Sequence, residues 1–496
     1  MKVLFLYPNK YLSPGINTGI SILSAVLKQE NIEVSLFDYT FVKTKESHKN
    51  ISTRLAVYLP TEISLESLVK DDPVESLEES FERRLEQFPP DLIALSAMTG
   101  TFDMGINLLK KFKSKLKCKV IVGGVHATIA PEDALTPDIV DFICVGEGEG
   151  LMVELCDCLG RGKDYRQISN LAFKKKSGIQ VNKLHSFVNL DELPTPDWSI
   201  FDSRHLFRPF MGNVYQGSFY IMSRGCPYNC SYCVSKLMRQ TLKESGSHYR
   251  FQHPTTTIRH LSDFKKRYNA TWFKFADDSI MSMSEKFLEE LAEGLAPLKI
   301  NFGCSVRPET TTDRKVALLK QMGCVAMSFG IESGNEELRR KVLNRTALNK
   351  QIEQAIMIIN NYGIRISTFN MIGLPEETRD NVFETIRFNK KLNIEAANIY
   401  CIYPYPGTEV SKKYNTKFRD DKGEIILIDN ASVFALSKMP PLEVEGLLKT
   451  FNLYMLLPEE LWPVIRYAEK NTEVGMDIFA ALVKCSRELL KKKHSN

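Results

Sequence analysis

Two hydrophobic patterns alternate along most of this chain. Short runs with consecutive apolar positions mark strands buried on both faces, as in a parallel sheet covered by helices. Stretches whose apolar residues recur every three or four positions mark amphipathic helices. In the first third, strands are predicted at 3–7, 33–37, 92–97, 120–122 and 142–145, with helices at 22–30 and 104–117 between them. The second helix puts Leu108, Leu109, Phe112 and Leu116 on one face and lysines opposite. From residue 219 the pattern counts out six βα units, with strands at 219–223, 272–276, 300–306, 326–332, 366–372 and 397–404. Their helices fall at 255–268, 284–296, 313–322, 335–343 with 349–362, and 378–392, Gly363 acting as a stop signal.

Three stretches break the rhythm. Residues 40–90 read as a polar insertion holding a short apolar piece at 65–69 and an acidic helix at 75–85. Residues 168–190 read as a hairpin turning at Lys174–Gly178, followed by the proline-rich linker 190–198. The tail from 416 is amphipathic helix, clearest at 442–456 and 476–490. The expected organisation is an α/β chain: a doubly wound domain at 1–165, hairpin and linker at 166–215, the βα repeats at 216–415, and a helical C-terminal cap at 416–496.

Composition narrows the class without naming it. Apolar residues make up 43% and charged residues 25%, ordinary globular values. A net charge of +5 over 496 residues gives no strong nucleic-acid footprint. The opening Met1-Lys2-Val3-Leu4-Phe5-Leu6-Tyr7 is too short for the core of a signal peptide, and no membrane span is predicted. Eleven cysteines without a signal peptide suggest a reducing, cytoplasmic setting over a disulfide framework.

Candidate chemistry begins at the first strand of the six βα units. Cys226, Cys230 and Cys233 stand in one loop at C-x3-C-x2-C, directly after the apolar run 219–222, with Tyr232 before the last cysteine. A cubane iron–sulfur cluster takes one thiolate per iron, so three thiolates leave one iron open to a substrate. The competing reading is a zinc knuckle, which normally needs a fourth Cys or His close in sequence. His248 and His253, the nearest downstream, belong to no such pair. The loop resembles the signature of the radical S-adenosylmethionine (SAM) enzymes. That resemblance implies a six-stranded partial (β/α) barrel, similar to part of a TIM barrel, holding a 4Fe-4S cluster and SAM at the strands' carboxyl ends. Those ends read Asp277-Asp278, Arg307-Pro308-Glu309, Gly330-Ile331-Glu332, Ile372-Gly373-Leu374 and Tyr403-Pro404. By charge, Asp277 or Asp278 is expected to accept from the SAM ammonium and Arg307 to grip its carboxylate. Glu332 is expected at the ribose, and the backbone of Ile372 and Gly373 at the adenine. Taken singly, Asp278 and Glu376 read as helix caps or loop salt bridges.

The strand ends of the first domain carry a second resemblance. They include Ser96-Ala97-Met98-Thr99, Gly123-Gly124-Val125-His126-Ala127-Thr128 and Gly146-Glu147-Gly148-Glu149. Glycine at a strand end lets backbone approach a bulky ligand. The set is similar to the cobalamin-binding domain fused to many radical SAM enzymes. The resemblance implies cobalamin contacts from Ser96, Thr99, Gly123, Gly124, His126, Thr128, Gly146, Glu147, Gly148 and Glu149. The D-x-H-x-x-G string that supplies a cobalt-ligating histidine in other cobalamin proteins is missing. His126 therefore reads more as a loop hydrogen-bonder, and a domain that holds no cofactor remains an alternative.

Together these resemblances imply an enzyme that cleaves SAM reductively at its cluster and, with cobalamin, methylates an unactivated carbon. A cyclase or rearrangement enzyme with the same cofactors is the alternative within the class, and a non-catalytic cobalamin or iron–sulfur sensor the alternative outside it. The expected partners are a small-molecule, natural-product or lipid substrate and a reductase such as flavodoxin or ferredoxin.

Overall fold

The structure, a computed structural model, describes residues 1–45, 65–176, 178–210 and 213–495. Much of the predicted polar insertion, 46–64, and Ser177 of the predicted turn lie outside the described residues.

The first sheet has seven strands in the order β2-β1-β3-β4-β5-β6-β7. They are β1 Lys2–Tyr7, β2 Glu33–Asp38, β3 Leu92–Ser96, β4 Lys119–Gly123, β5 Phe142–Cys144, β6 Leu171–Lys175 and β7 Gly178–Val181. The first five run parallel, and β6 and β7 antiparallel. The hairpin read at 168–190 is β6–β7, and it extends this sheet beyond β5 instead of standing free. Strand order reverses where β1 pairs with both β2 and β3, the place where such a sheet opens a crevice beyond its carboxyl ends.

The second sheet also has seven strands, β8 Phe207–Phe210, β9 Asn213–Tyr220, β12 Trp272–Phe275, β13 Asn301–Val306, β14 Cys324–Glu332, β15 Arg365–Ile372 and β16 Ala396–Cys401. Between them β10 Ser223–Arg224 and β11 Arg250–Phe251 make a separate two-stranded ladder. The strands from β9 and β12 to β16 are parallel, the half-barrel the sequence predicts, and β8 closes one edge antiparallel. The cysteine-bearing strand is longer and earlier than its apolar run suggests, ending at Tyr220. Its pairing with β12 demands glycine at 217, where a Cβ would lie 1.7 Å from the Trp272 carbonyl oxygen.

Helix starts are set by caps and close packing as much as by periodicity. Asn17 accepts from the Ile20 amide at 3.0 Å and opens the helix Thr18–Gln29. The helix predicted from 104 begins five residues earlier, as Thr99–Lys111. There Gly105 brings it against β3, since a Cβ would sit 2.5 Å from Leu95 Cδ1. The acidic helix is Leu77–Gln87, held by a capping box of Ser76 and Glu79.

One hydrophobic core runs through both sheets. It joins Val3, Phe5 and Phe142 of the first to Phe273, Phe302 and Ile366 of the second through Trp198 and Phe201 of the connecting segment. The C-terminal helix Pro441–Leu456 lies on the β16 edge, where Asn452 donates to the Ala397 carbonyl at 3.1 Å. Among the described residues no helix is long and apolar enough to cross a membrane.

Candidate active site

The carboxyl ends of the two parallel sheets face one another. Between them lies a cavity of about 470 Å³. Ser96, Gly123, Gly124, Thr128 and the Gly146–Glu149 loop wall it on one side; Met222–Gly225 and Ala276–Asp278 wall it on the other.

The cysteine loop hangs from this wall. Asp277 at the end of β12 clamps its start: Oδ1 accepts from the amides of Met222 at 3.1 Å and Ser223 at 2.7 Å, and from the Ser223 hydroxyl. Gly225 follows at φ +82°, pressed so close to His248 that a Cβ would lie 2.3 Å from Nδ1. Arg239 then donates to the carbonyl of Cys226 at 2.7 Å, and Ser231 donates through its amide to Leu343 O at 3.1 Å. The helix Val234–Thr241 begins directly after Cys233. Burial pushes the Cys226 thiol up to about 12 and raises that of Cys233, and each of these two thiols also feels Cys230.

Among the described residues no three or more His, Cys, Asp or Glu side chains form a group able to hold a metal ion. A zinc site needs its ligands on a single ion. A cubane gives each thiolate its own iron, so three thiols spaced round one loop are a donor set that fits it. Arg307 adds to the fit. It stacks 3.8 Å from the Tyr228 ring centroid and donates from Nη1 to Cys230 Sγ at 3.3 Å, a contact that can tune a cluster ligand.

The buried polar atoms near this loop that have no partner include the acceptor Asp277 Oδ2 and the donor Arg307 Nε. They stand at the ends of neighbouring strands, β12 and β13. One acceptor and one donor are what an amino acid's ammonium and carboxylate require. Burial pushes the Asp277 carboxyl up to about 6, against the hydrogen bonds it accepts from Ser223 and Met222. Arg307 is not wholly free, since Nη2 pairs with Glu309 at 2.7 Å. Asp278 accepts from Ser235 at 2.9 Å.

Glu332 sits at φ +65°, a strained position for a residue with a Cβ. Its Oε1 accepts from Arg345 at 2.9 Å and from Tyr232 at 3.2 Å. The expected ribose acceptor thus already anchors the aromatic of the cysteine loop. Ile372 ends β15, and Gly373 turns the chain at φ +73°. Beyond it, buried Glu377 accepts from the Leu374 amide at 3.1 Å while its Oε1 has no partner. Burial pushes that carboxyl from 4.5 up to about 8.

On the other wall, glycine does what its position suggests. Gly124 at φ +99° passes so near Ala97 that a Cβ would lie 2.7 Å from its carbonyl oxygen. His126 is fully buried and hydrogen-bonded, with Nε2 3.0 Å from Asp133 and Nδ1 3.3 Å from Thr99, and neither His126 nor Thr99 lines the cavity. Asp133 works against its own burial and is held down at about 2 by Arg419 and His126. Glu147 and Glu149 do reach the cavity, yet their carboxylates meet arginines: Arg224 donates to Glu147 at 2.6 Å and to Glu149 at 2.5 Å, and Arg250 also donates to Glu147.

Sequence reasoning passed over Arg345, Glu377, Arg419 and the Arg224–Arg250 pair. Arg224 had the only local signal, its place two residues before Cys226.

Comparison with known proteins agrees with this geometry. Residues 62–156 match the B12 binding domain and residues 220–388 the radical SAM superfamily. An uncharacterized methyltransferase of Pyrococcus horikoshii is 27% identical over 66% of this chain and 70% of its own length. The anaerobic magnesium-protoporphyrin IX monomethyl ester cyclase of Rubrivivax gelatinosus is 23% identical over 68% of this chain and 61% of its own. The hopanoid C-3 methylase of Methylococcus capsulatus is 27% identical over 66% and 62%. The chain thus spans less than two thirds of the length of these last two relatives. Among solved structures, the radical SAM methyltransferase TsrM from Kitasatospora setae, with cobalamin and a [4Fe-4S] cluster bound, superposes at a TM-score of 0.67 over 99% of both chains, at 14% identity. The cobalamin-dependent radical enzyme OxsB gives 0.63 over 99% of this chain and 72% of its own, at 16% identity. With a B12-binding domain and a radical SAM domain in one polypeptide, their strand ends facing a shared cavity, this chain belongs to the cobalamin-binding-domain-containing radical SAM proteins.

Proposed function

We propose that this protein is a cobalamin-dependent radical SAM methyltransferase acting on an unactivated carbon of a small molecule. The observation that carries the reading is the single cavity walled by the glycine-rich ends of one sheet and the cysteine-loop side of the other. When bound, the cluster supplies the electron that cleaves SAM and cobalamin supplies the methyl-carrying cobalt.

The residues' own work follows from their placement. Cys226, Cys230 and Cys233 hold the cluster, and Arg307 steadies Cys230 through its sulfur. Asp277 Oδ2 takes the SAM ammonium and Arg307 Nε its carboxylate. Glu332, through Tyr232 and Arg345, fixes the cysteine loop, and the backbone at Ile372 and Gly373 would hold the adenine of SAM. Ser96, Gly123, Gly124, Thr128, Gly146 and Gly148 leave room for the corrin ring. The substrate enters between the two walls, and the electron comes from a reductase such as flavodoxin or ferredoxin.

A cyclase reading is favoured by similarity to the magnesium-protoporphyrin ester cyclases at 23–26% identity. Anaerobic incubation with methyl-deuterated SAM and a reductant separates the two. Release of 5′-deoxyadenosine with label in a product supports methyl transfer. Release with an unlabelled, rearranged product supports cyclisation. Absence of SAM cleavage in protein that carries its cluster overturns both.

A further inference from the structure

The Gly146–Glu149 string resembles a cofactor-binding motif, yet both carboxylates in it face the barrel's arginines. Arg224 on β10 is the cross-strand partner of Arg250 on β11. Two like charges opposed across a two-residue ladder repel. Here Glu147 lies between them: Oε1 accepts from both guanidinium groups, while Oε2 accepts from the Val188 amide at 3.0 Å. Glu149, itself buried, takes the second arm of Arg224. Arg250 is oriented in turn by the Val188 carbonyl at 2.6 Å and the Phe187 ring at 4.2 Å. Beside the pair, Leu242 packs on Gly146, where a Cβ would meet its Cδ2 at 3.0 Å. Arg224 is two residues from Cys226, so whatever fixes Arg224 fixes the start of the cysteine loop.

We propose that Glu147 and Glu149 are positioning residues that latch the strand ends of the B12-binding domain to the cysteine loop through Arg224 and Arg250. Without them the ladder holds two unneutralised arginines and opens. With them, the loop takes its working shape only against the docked domain, at a fixed separation from whatever that domain holds. The inference rests on the cofactors assigned under the proposed function. Arginine suits 224 because its rigid fork sends Nη1 to Glu147 and Nη2 to Glu149, a spread that the compact ammonium of lysine does not reproduce.

The test uses holoprotein reconstituted anaerobically with iron, sulfide and hydroxocobalamin, comparing wild type with Arg224→Lys and the near-isosteric Glu149→Gln. Iron and cobalt per chain are measured first, then the magnetic interaction between the reduced cluster and cob(II)alamin by electron paramagnetic resonance. The latch predicts wild-type iron and cobalt in both variants, with the interaction weakened or spread over several separations. An unchanged interaction overturns it. Cobalamin affinity lowered tenfold or more with the interaction unchanged also overturns it and returns Glu149 to direct cofactor contact. A wild-type protein that takes up its cluster and no cobalamin refutes the proposed function itself, and the latch with it.

Discussion

Arg345 is buried, and its guanidinium reaches Glu332 at 2.9 Å and the Gly330 carbonyl at 2.8 Å while touching the Tyr232 hydroxyl at 3.4 Å. Removing one partner of such a pair strands the other charge in a dry site. Arg345→Met is expected to cost about 3–5 kcal/mol in urea unfolding, a loss that Arg345→Met with Glu332→Gln partly recovers. Glu377 makes a different prediction. Its folded-state carboxyl holds its proton up to about pH 8, whereas the unfolded chain releases it near 4.5. Between those values the folded state binds more protons, so stability falls as pH rises. Glu377→Gln is expected to flatten that part of the melting-temperature profile; an unchanged slope would place the buried charge elsewhere. Neither residue was legible in advance. Arg345 acts on a tyrosine 113 positions away. Of the pair Glu376-Glu377, only folding shows that the first is exposed and the second buried.

Elements were legible where a strand is apolar on both faces, and less so where a backbone contact sets the boundary. Five of the six parallel strands of the half-barrel, β12 to β16, stand where the apolar runs place them. The start of β9 does not, because Val214, Gln216 and Gly217 are chosen for pairing at a sheet edge and not for a continuous apolar run. Gly217→Ala forces a Cβ into the Trp272 carbonyl. Overpacking in a core costs about 1–3 kcal/mol, and a backbone obstacle gives way less than a side chain. We expect Gly217→Ala to lower stability by at least that much and to reduce cluster uptake, since β9 carries the cysteine loop. Full iron content in a destabilised Gly217→Ala protein would show that the loop forms independently of this pairing. Thr99 and His126 follow two neighbouring strands, and their side chains meet in a buried hydrogen-bonded cluster with Asp133, which Arg419 reaches from 286 residues away.

At the scale of the molecule, two sheets share one core and one cavity, so the two cofactor sites are parts of a single structure. The domain sequence was readable because each half repeats a βα unit. The relation between the halves was not, because it depends on ion pairs such as Arg224–Glu149 and Arg419–Asp133 that join distant segments. The most direct test of the account is elemental analysis of iron and cobalt in the same anaerobically reconstituted sample. It compares wild type with the triple variant Cys226→Ala, Cys230→Ala, Cys233→Ala. The account predicts about four iron atoms and one cobalt per wild-type chain, and in the variant loss of iron with cobalt retained. Iron retained in the triple variant, or no cobalt bound by the wild type, would contradict it.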